Sequence, residues 1–244
     1  TPGAAVSECV SMTNRMGALA RENLLLSIRQ LSDFSDTREN QILKNEDKLD
    51  IYEDRLGSYL VQVSQHGVSM DDIRTVSRLL HAIGDFERIG DHALNLQDSA
   101  RELHERGLTF SGSAEAELRV LISALEDILE AALDCFTAAD AAAAQSIEPL
   151  EETIDRLIEE IRSRHISRLQ TGTCTIQLGF VLNDLLGNFE RVSDHCSNIA
   201  VSVIEEKRGD VSRHAYLHQL ITEENFSSTL QVDLGKYRLP EEPA

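Results

Sequence analysis

"FERIGDH" at residues 86–92 and "FERVSDH" at residues 189–195 share five of seven residues. In each copy a Glu and an Asp stand four apart, Glu87 with Asp91 and Glu190 with Asp194. Like charges at that spacing on a helix repel by roughly a few tenths of a kcal/mol. A costly pattern that recurs needs an ancestral reason, a chemical reason, or both.

Working outward, residues 83–97 align with 186–200 at seven identical positions of fifteen: Gly84/Gly187, Phe86/Phe189, Glu87/Glu190, Arg88/Arg191, Asp91/Asp194, His92/His195 and Asn95/Asn198. Upstream, "EDKLD" at 46–50 corresponds to "EETID" at 151–155, which adds Glu46 with Asp50 and Glu151 with Asp155. The two acid motifs lie 41 residues apart in the first half and 39 in the second. An internal repeat of this length marks a duplicated structural unit.

Apolar periodicity is helical almost throughout. It predicts helices over about 4–33, 37–67, 69–107, 114–138, 140–170 and 174–208, with Ser and Asp in "SDFSDT" and "HGVSMDD" as caps. One more helix is expected near 211–223, and "GKYRLPEEPA" at the end reads as extended or disordered. No strand is convincing, and "GTCTIQLG" at 172–179 is absorbed by the helix that follows. The resulting fold class is all-α, with a first three-helix repeat over 1–108, a second over 109–209 and a tail over 210–244.

At about 100° per residue, Glu87 and Asp91 share a direction with Val76, Leu80, Ile83 and Leu94, which places them in the middle of an apolar stripe. Glu46, Asp50 and Glu53 share theirs with Ile42, Leu49 and Leu60; Glu151 and Asp155 share theirs with Ile147, Ile154, Ile158 and Leu169. Glu190 and Asp194 line up less cleanly with Leu186, Val201 and Ile204. Clustered buried carboxylates are costly. Three things relieve them: a cation between facing pairs, neighbouring Arg or Lys, or retained protons. Basic residues on those faces are scarce, and Arg88 and Arg191 point about 100° away. A metal held by carboxylates at i, i+4 on neighbouring helices fits best, as in di-metal bundles, against a structural network of acids, Arg and water. His92 and His195 point about 100° from their Asp and are expected behind the ligands or at the surface. The absence of an acid-x-x-His pair in each half argues against a ferritin-like oxidase.

Charge excludes other classes. With 23 basic and 42 acidic residues the net charge is −19, unsuited to nucleic acid or an anionic membrane surface. Cys9, Cys135, Cys174 and Cys196 form no CxxC and read as free thiols of a reducing compartment. No apolar run is long enough for a membrane span, and no active-site motif stands out. A metal-dependent enzyme and a purely scaffolding module remain rival classes.

Two tandem three-helix units with Glu-x-x-x-Asp in their second and third helices, above all "LLHAIGDFERIGDHALNL" at 79–96, resemble the PhoU family over about residues 10–207. The resemblance implies a six-helix bundle with pseudo-twofold symmetry and a non-catalytic role in regulating phosphate uptake. It also implies metal clusters of iron, zinc, manganese or magnesium on Glu46, Asp50, Glu87, Asp91, Glu151, Asp155, Glu190 and Asp194. This sequence departs from a regular repeat at Asn188 for Asp85 and at Ser193 for Gly90.

The opening "TPGAAVSECVSMTNRMGALA" and the "YRLP" tail resemble the PhoU-like C-terminal region of bacterial sodium/phosphate cotransporters. The expectation is therefore a cytoplasmic regulatory domain tethered to the inner face of the cell membrane, with a free-standing PhoU regulator as the alternative. Its partners would be the transporter portion of the same chain or a phosphate transport or sensor protein, with a homo-oligomer as a further option. At −19 the chain should repel free phosphate, so direct sensing would need the metal as a bridge.

Overall fold

A computed structural model describes residues 2–209 and 213–241. Its helices are α1 (Pro2–Gln30), α2 (Asp36–Ser64), α3 (Met70–Arg106), α4 (Gly112–Ala138), α5 (Ala141–Ala144), α6 (Ile147–Gln170), α7 (Ile176–Arg208), α8 (Arg213–Ile221) and α9 (Glu224–Lys236). Six long helices form two three-helix units, α1–α2–α3 and α4–α6–α7, as the repeat requires.

Local chemistry sets the ends. Ser35, Ser111 and Thr175 each accept a backbone N–H from the first turn of the helix they precede, and Ser69 forms a reciprocal capping box with Asp72. α3 stops where Gly107 turns left-handed at φ 61°, with Leu108 N–H donating to Leu103 O at 2.9 Å. Ala139 ends α4 in the same region, at φ 49°, without glycine's freedom.

The single helix expected over 140–170 is broken. Pro149 has no N–H to offer the carbonyl of Gln145 and its ring crowds the preceding turn, so α5 ends and the chain restarts with Pro149 in the first turn of α6. The tail also departs from expectation. Residues 224–236 are helical, α9 lies against α6, and Leu230 and Tyr237 are buried. Tyr237 Oη donates to Asp127, and Arg164 donates to Pro240 O at 2.6 Å. The helix expected near 211–223 appears as α8, with residues 211 and 212 outside the described set.

α3 and α7 run antiparallel through the centre, each also packed on its own repeat. Contact on several sides widens the buried stripe of α3, which includes Leu79, Ala82, Phe86, Ile89, Ala93 and Leu96. It centres near Phe86, about 100° from Glu87. The acids therefore stand at the edge of the core and not in its middle, and Leu80, placed beside them by the wheel, is 38% exposed. Phe86 meets Phe136 edge-on at 5.3 Å and presses on α1 at Gly17, where a Cβ would lie 2.7 Å from its ring.

The repeats join through reciprocal polar contacts. His92 Nδ1 lies 2.9 Å from Asn188 Oδ1, and Asn95 donates to the same oxygen at 3.1 Å. Mirrored across the axis, His195 Nδ1 lies 2.9 Å from Asp85 Oδ1, and Asn198 donates to that oxygen at 3.1 Å. The two imidazoles sit 5.6 Å apart between these pairs. At one end of this interface Arg78, 4% exposed, reaches Glu206 at 2.7 Å and donates to Phe136 O at 3.1 Å.

Candidate metal centres at two helix seams

The first acid group lies where α2 crosses α3. Glu46 is 7% exposed, Glu87 and Asp91 are half-buried, and Asp50 and Glu53 are exposed. The Glu46 carboxyl faces that of Asp91, which also meets Glu87. Two carboxylates bond each other only when one carries a proton, and Glu46 Oε2 is buried with no partner. Burial, and after it the charges of Asp91 and Asp50, raise the Glu46 pKa from 4.5 to about 8. Glu87 rises to about 7, again through burial first and Asp91 next. Gly90 makes this approach feasible, since a Cβ there would lie 2.7 Å from Glu46 Oε2 and 2.7 Å from Leu49 Cδ1.

The second group lies where α6 crosses α7. Glu151, Asp155 and Glu190 are half-buried and Asp194 is exposed. Burial, followed by Asp155 and Glu148, raises Glu151 to about 9, with Asp194 also against it. Asp155 rises to about 6 through burial and then Asp194 and Glu190, and its Oδ1 is buried without a partner. All eight sequence-predicted acids are thus at the two seams, four at each.

Two participants escaped the sequence reading. Arg162 donates to Glu190 at 3.0 Å, and Ser197 donates to Glu148 at 2.6 Å beside Glu151. Arg162 follows Glu151 by eleven residues, about 20° away on the wheel, so a search of the whole acidic face for basic residues finds it. At the first seam Arg88 reaches only Glu87, at 3.8 Å and 63% exposed. His92 and His195 turn to the opposite repeat, and neither faces the acids of its own seam.

Among the described residues no three His, Cys, Asp or Glu side chains are closed round one point as a ready-made cage. What the seams supply is crowded oxygen donors, two of them orphaned, with too few cations of their own. That donor chemistry fits hard or borderline metal ions, which would neutralise the facing carboxylates once side chains rotate inward.

The family model described as "PhoU domain" matches residues 13–100 and 118–203, one match per repeat. Among curated relatives, the phosphate-specific transport system accessory protein PhoU homolog 1 of Thermotoga maritima is 24% identical over 200 residues, spanning 82% of this chain and 85% of the relative. The corresponding Pseudomonas aeruginosa homolog is 26% identical over 206 residues, 84% of each chain. Both are named as accessory proteins and neither as an enzyme. The crystal structure of PhoU from P. aeruginosa superposes with a TM-score of 0.80 at 25% identity, covering 86% of this chain and 100% of that one. The phosphate transport system regulatory protein PhoU of Streptococcus pneumoniae shares the fold, with a TM-score of 0.77 at 18% identity. No described helix is long and apolar enough to cross a membrane. With both repeats matched and the bundle superposed, the chain belongs to the PhoU family.

Proposed function

We propose that the chain is a non-catalytic regulator of phosphate transport of the PhoU type, and that its two acid seams take up divalent or trivalent cations. The observation that carries the metal reading is the orphaned, buried Glu46 Oε2 in a cluster of acids whose only ion-paired cation, among the described residues, is an exposed Arg88. Glu46, Asp50, Glu87 and Asp91 would hold the ion at one seam, and Glu151, Asp155, Glu190 and Asp194 at the other. At the second seam Arg162 already pairs with Glu190 on the solvent side, while Glu151 stays crowded by Asp155 and Asp194.

Protein purified without chelator is analysed for metal and melted with and without EDTA. The expected result is bound metal whose removal lowers the melting temperature. Glu46→Gln with Asp91→Asn removes the first seam's share, and Glu151→Gln with Asp194→Asn removes the second's. Less than about half an equivalent of metal, with melting indifferent to EDTA, leaves a scaffolding bundle instead.

The stand-alone accessory reading is favoured over the cotransporter domain, because relatives matched over 84–85% of their own length are accessory proteins. In this reading the chain works in the cytoplasm with a phosphate transport or sensor protein. Several apolar spans encoded upstream of Thr1 would return it to the transporter class.

A further inference from the structure

At the far end of the second repeat, a cavity of about 300 Å³ opens between the starts of α4 and α7. Ser111, Thr173, Thr175, His165 and Arg168 line it, and no carboxylate is among its lining residues although the chain carries 42. α7 has no acidic residue in its first turn. The starts of α4 and α7 border this space; α4 carries Glu115 in its first turn, outside the lining, and the cap hydroxyls of Ser111 and Thr175, which accept the Ala114 and Leu178 N–H groups, keep their own O–H free to donate.

His165 is the unusual member. It is 7% exposed, and neither ring nitrogen has a hydrogen-bond partner. Leaving such a group unsatisfied costs free energy. Gly179 in the first turn of α7 gives the ring its place, since a Cβ there would lie 2.9 Å from Nε2. Arg168 is held rigid at the wall by two bonds to buried Glu117, at 3.0 and 2.8 Å. Burial, with Arg168 next, lowers the His165 pKa, so the ring enters the site as a neutral N–H donor.

The first repeat shows what the fold needs at these places. The repeat alignment sets Leu60 opposite His165, Val63 opposite Arg168 and Val76 opposite Gly179, and all three are buried. Apolar packing satisfies the bundle there. The second repeat has exchanged it for a polar, hollow set.

We infer that this cavity is a binding site for a small tetrahedral oxyanion, a phosphate group, held beside the α4 and α7 starts by His165 and the Ser111 and Thr175 hydroxyls as donors, with Arg168 as charge. It lies in a different part of the second repeat from the acid seams and stands independently of the metal reading.

The test uses the full chain stripped with EDTA, so that no metal can bridge the anion. Inorganic phosphate, sulfate and phenyl phosphate are titrated calorimetrically into the wild type and His165→Leu, the residue the first repeat uses. Wild type binds phosphate, and His165→Leu weakens it about tenfold or more while melting no lower than wild type, as one charge-assisted hydrogen bond requires. Amide resonances of the lining residues Ala114, Thr173 and Leu178 shift on binding in wild type only. Equal affinity for phenyl phosphate assigns an esterified ligand, and weaker affinity assigns the free anion. No binding at millimolar phosphate, or binding that His165→Leu leaves intact, overturns the inference.

Discussion

Glu46→Gln is the sharpest probe of the first seam. In metal-free protein the Glu46 carboxyl titrates at about 8, against 4.5 for the ordinary group. Below about pH 4.5 the carboxyl is protonated whether the chain is folded or not, so the stability it permits is fully present. As pH rises, the unfolded chain releases its proton first and the folded chain retains it, so stability is lost progressively until the folded group ionises near pH 8. At 1.36 kcal/mol per pKa unit, the displacement sets a ceiling of roughly 3 kcal/mol at about pH 7. Asp50 and part of Asp91 face water, and screening there trims the expectation to about 1–2 kcal/mol. Gln cannot ionise, and its amide can donate to Asp91. EDTA-treated Glu46→Gln should therefore melt about 2–8 °C above wild type near pH 8, and within error of it near pH 4.5, for a chain of this size. Added divalent metal should reverse the order. Parallel pH curves for the two proteins, or a less stable variant at pH 8, would refute the crowded-carboxylate account.

Other substitutions test neighbouring parts. Gly90→Ala should cost about 1–3 kcal/mol in urea unfolding and lower metal retention at the first seam, because the new methyl displaces Glu46 and Leu49; Ser193→Ala, at the equivalent position, should change metal content little. Arg78→Met should cost about 3–5 kcal/mol by leaving Glu206 without its partner, and the double variant with Glu206→Leu should recover most of it in the same melts. Ala139→Gly should raise stability by about 1 kcal/mol, since φ 49° is strained for a residue with a Cβ; an unchanged or lower melting temperature would show that the turn relaxes without it.

Much of the fold was legible because duplication and periodicity reinforce each other. "FERxxDH" located the third helix of each repeat, and the eight acids do gather at two seams. Periodicity was less able to say how deep they lie. The wheel assumes one buried direction, whereas α3 is packed by α1, α2 and α7, which moves the centre of its stripe to Phe86. Apolar periodicity runs through 140–170 without interruption, so the break between α5 and α6 comes from the missing N–H of Pro149 and not from a change of pattern. The α9 segment has a weak signature, with Phe226, Leu230, Val232 and Leu234 its only large apolar residues and Val232 exposed, and packing on α6 rather than propensity holds it. The His165 cavity leaves no trace in net charge, since what defines it is an unpartnered buried imidazole beside an Arg168 already paired with Glu117, with no carboxylate among the lining residues.

The junction between repeats has a consequence for how such a molecule can change. Were the two halves separate copies meeting across a true twofold, every substitution at the interface would appear twice. Joined in one chain, they stay together at any dilution, and each side is free to drift alone. Asp85 opposite Asn188 records such drift: His195 meets a charge where His92 meets an amide. Under the proposed metal reading, the same freedom lets the two seams differ in their affinity for one ion, and so answer one signal in two steps.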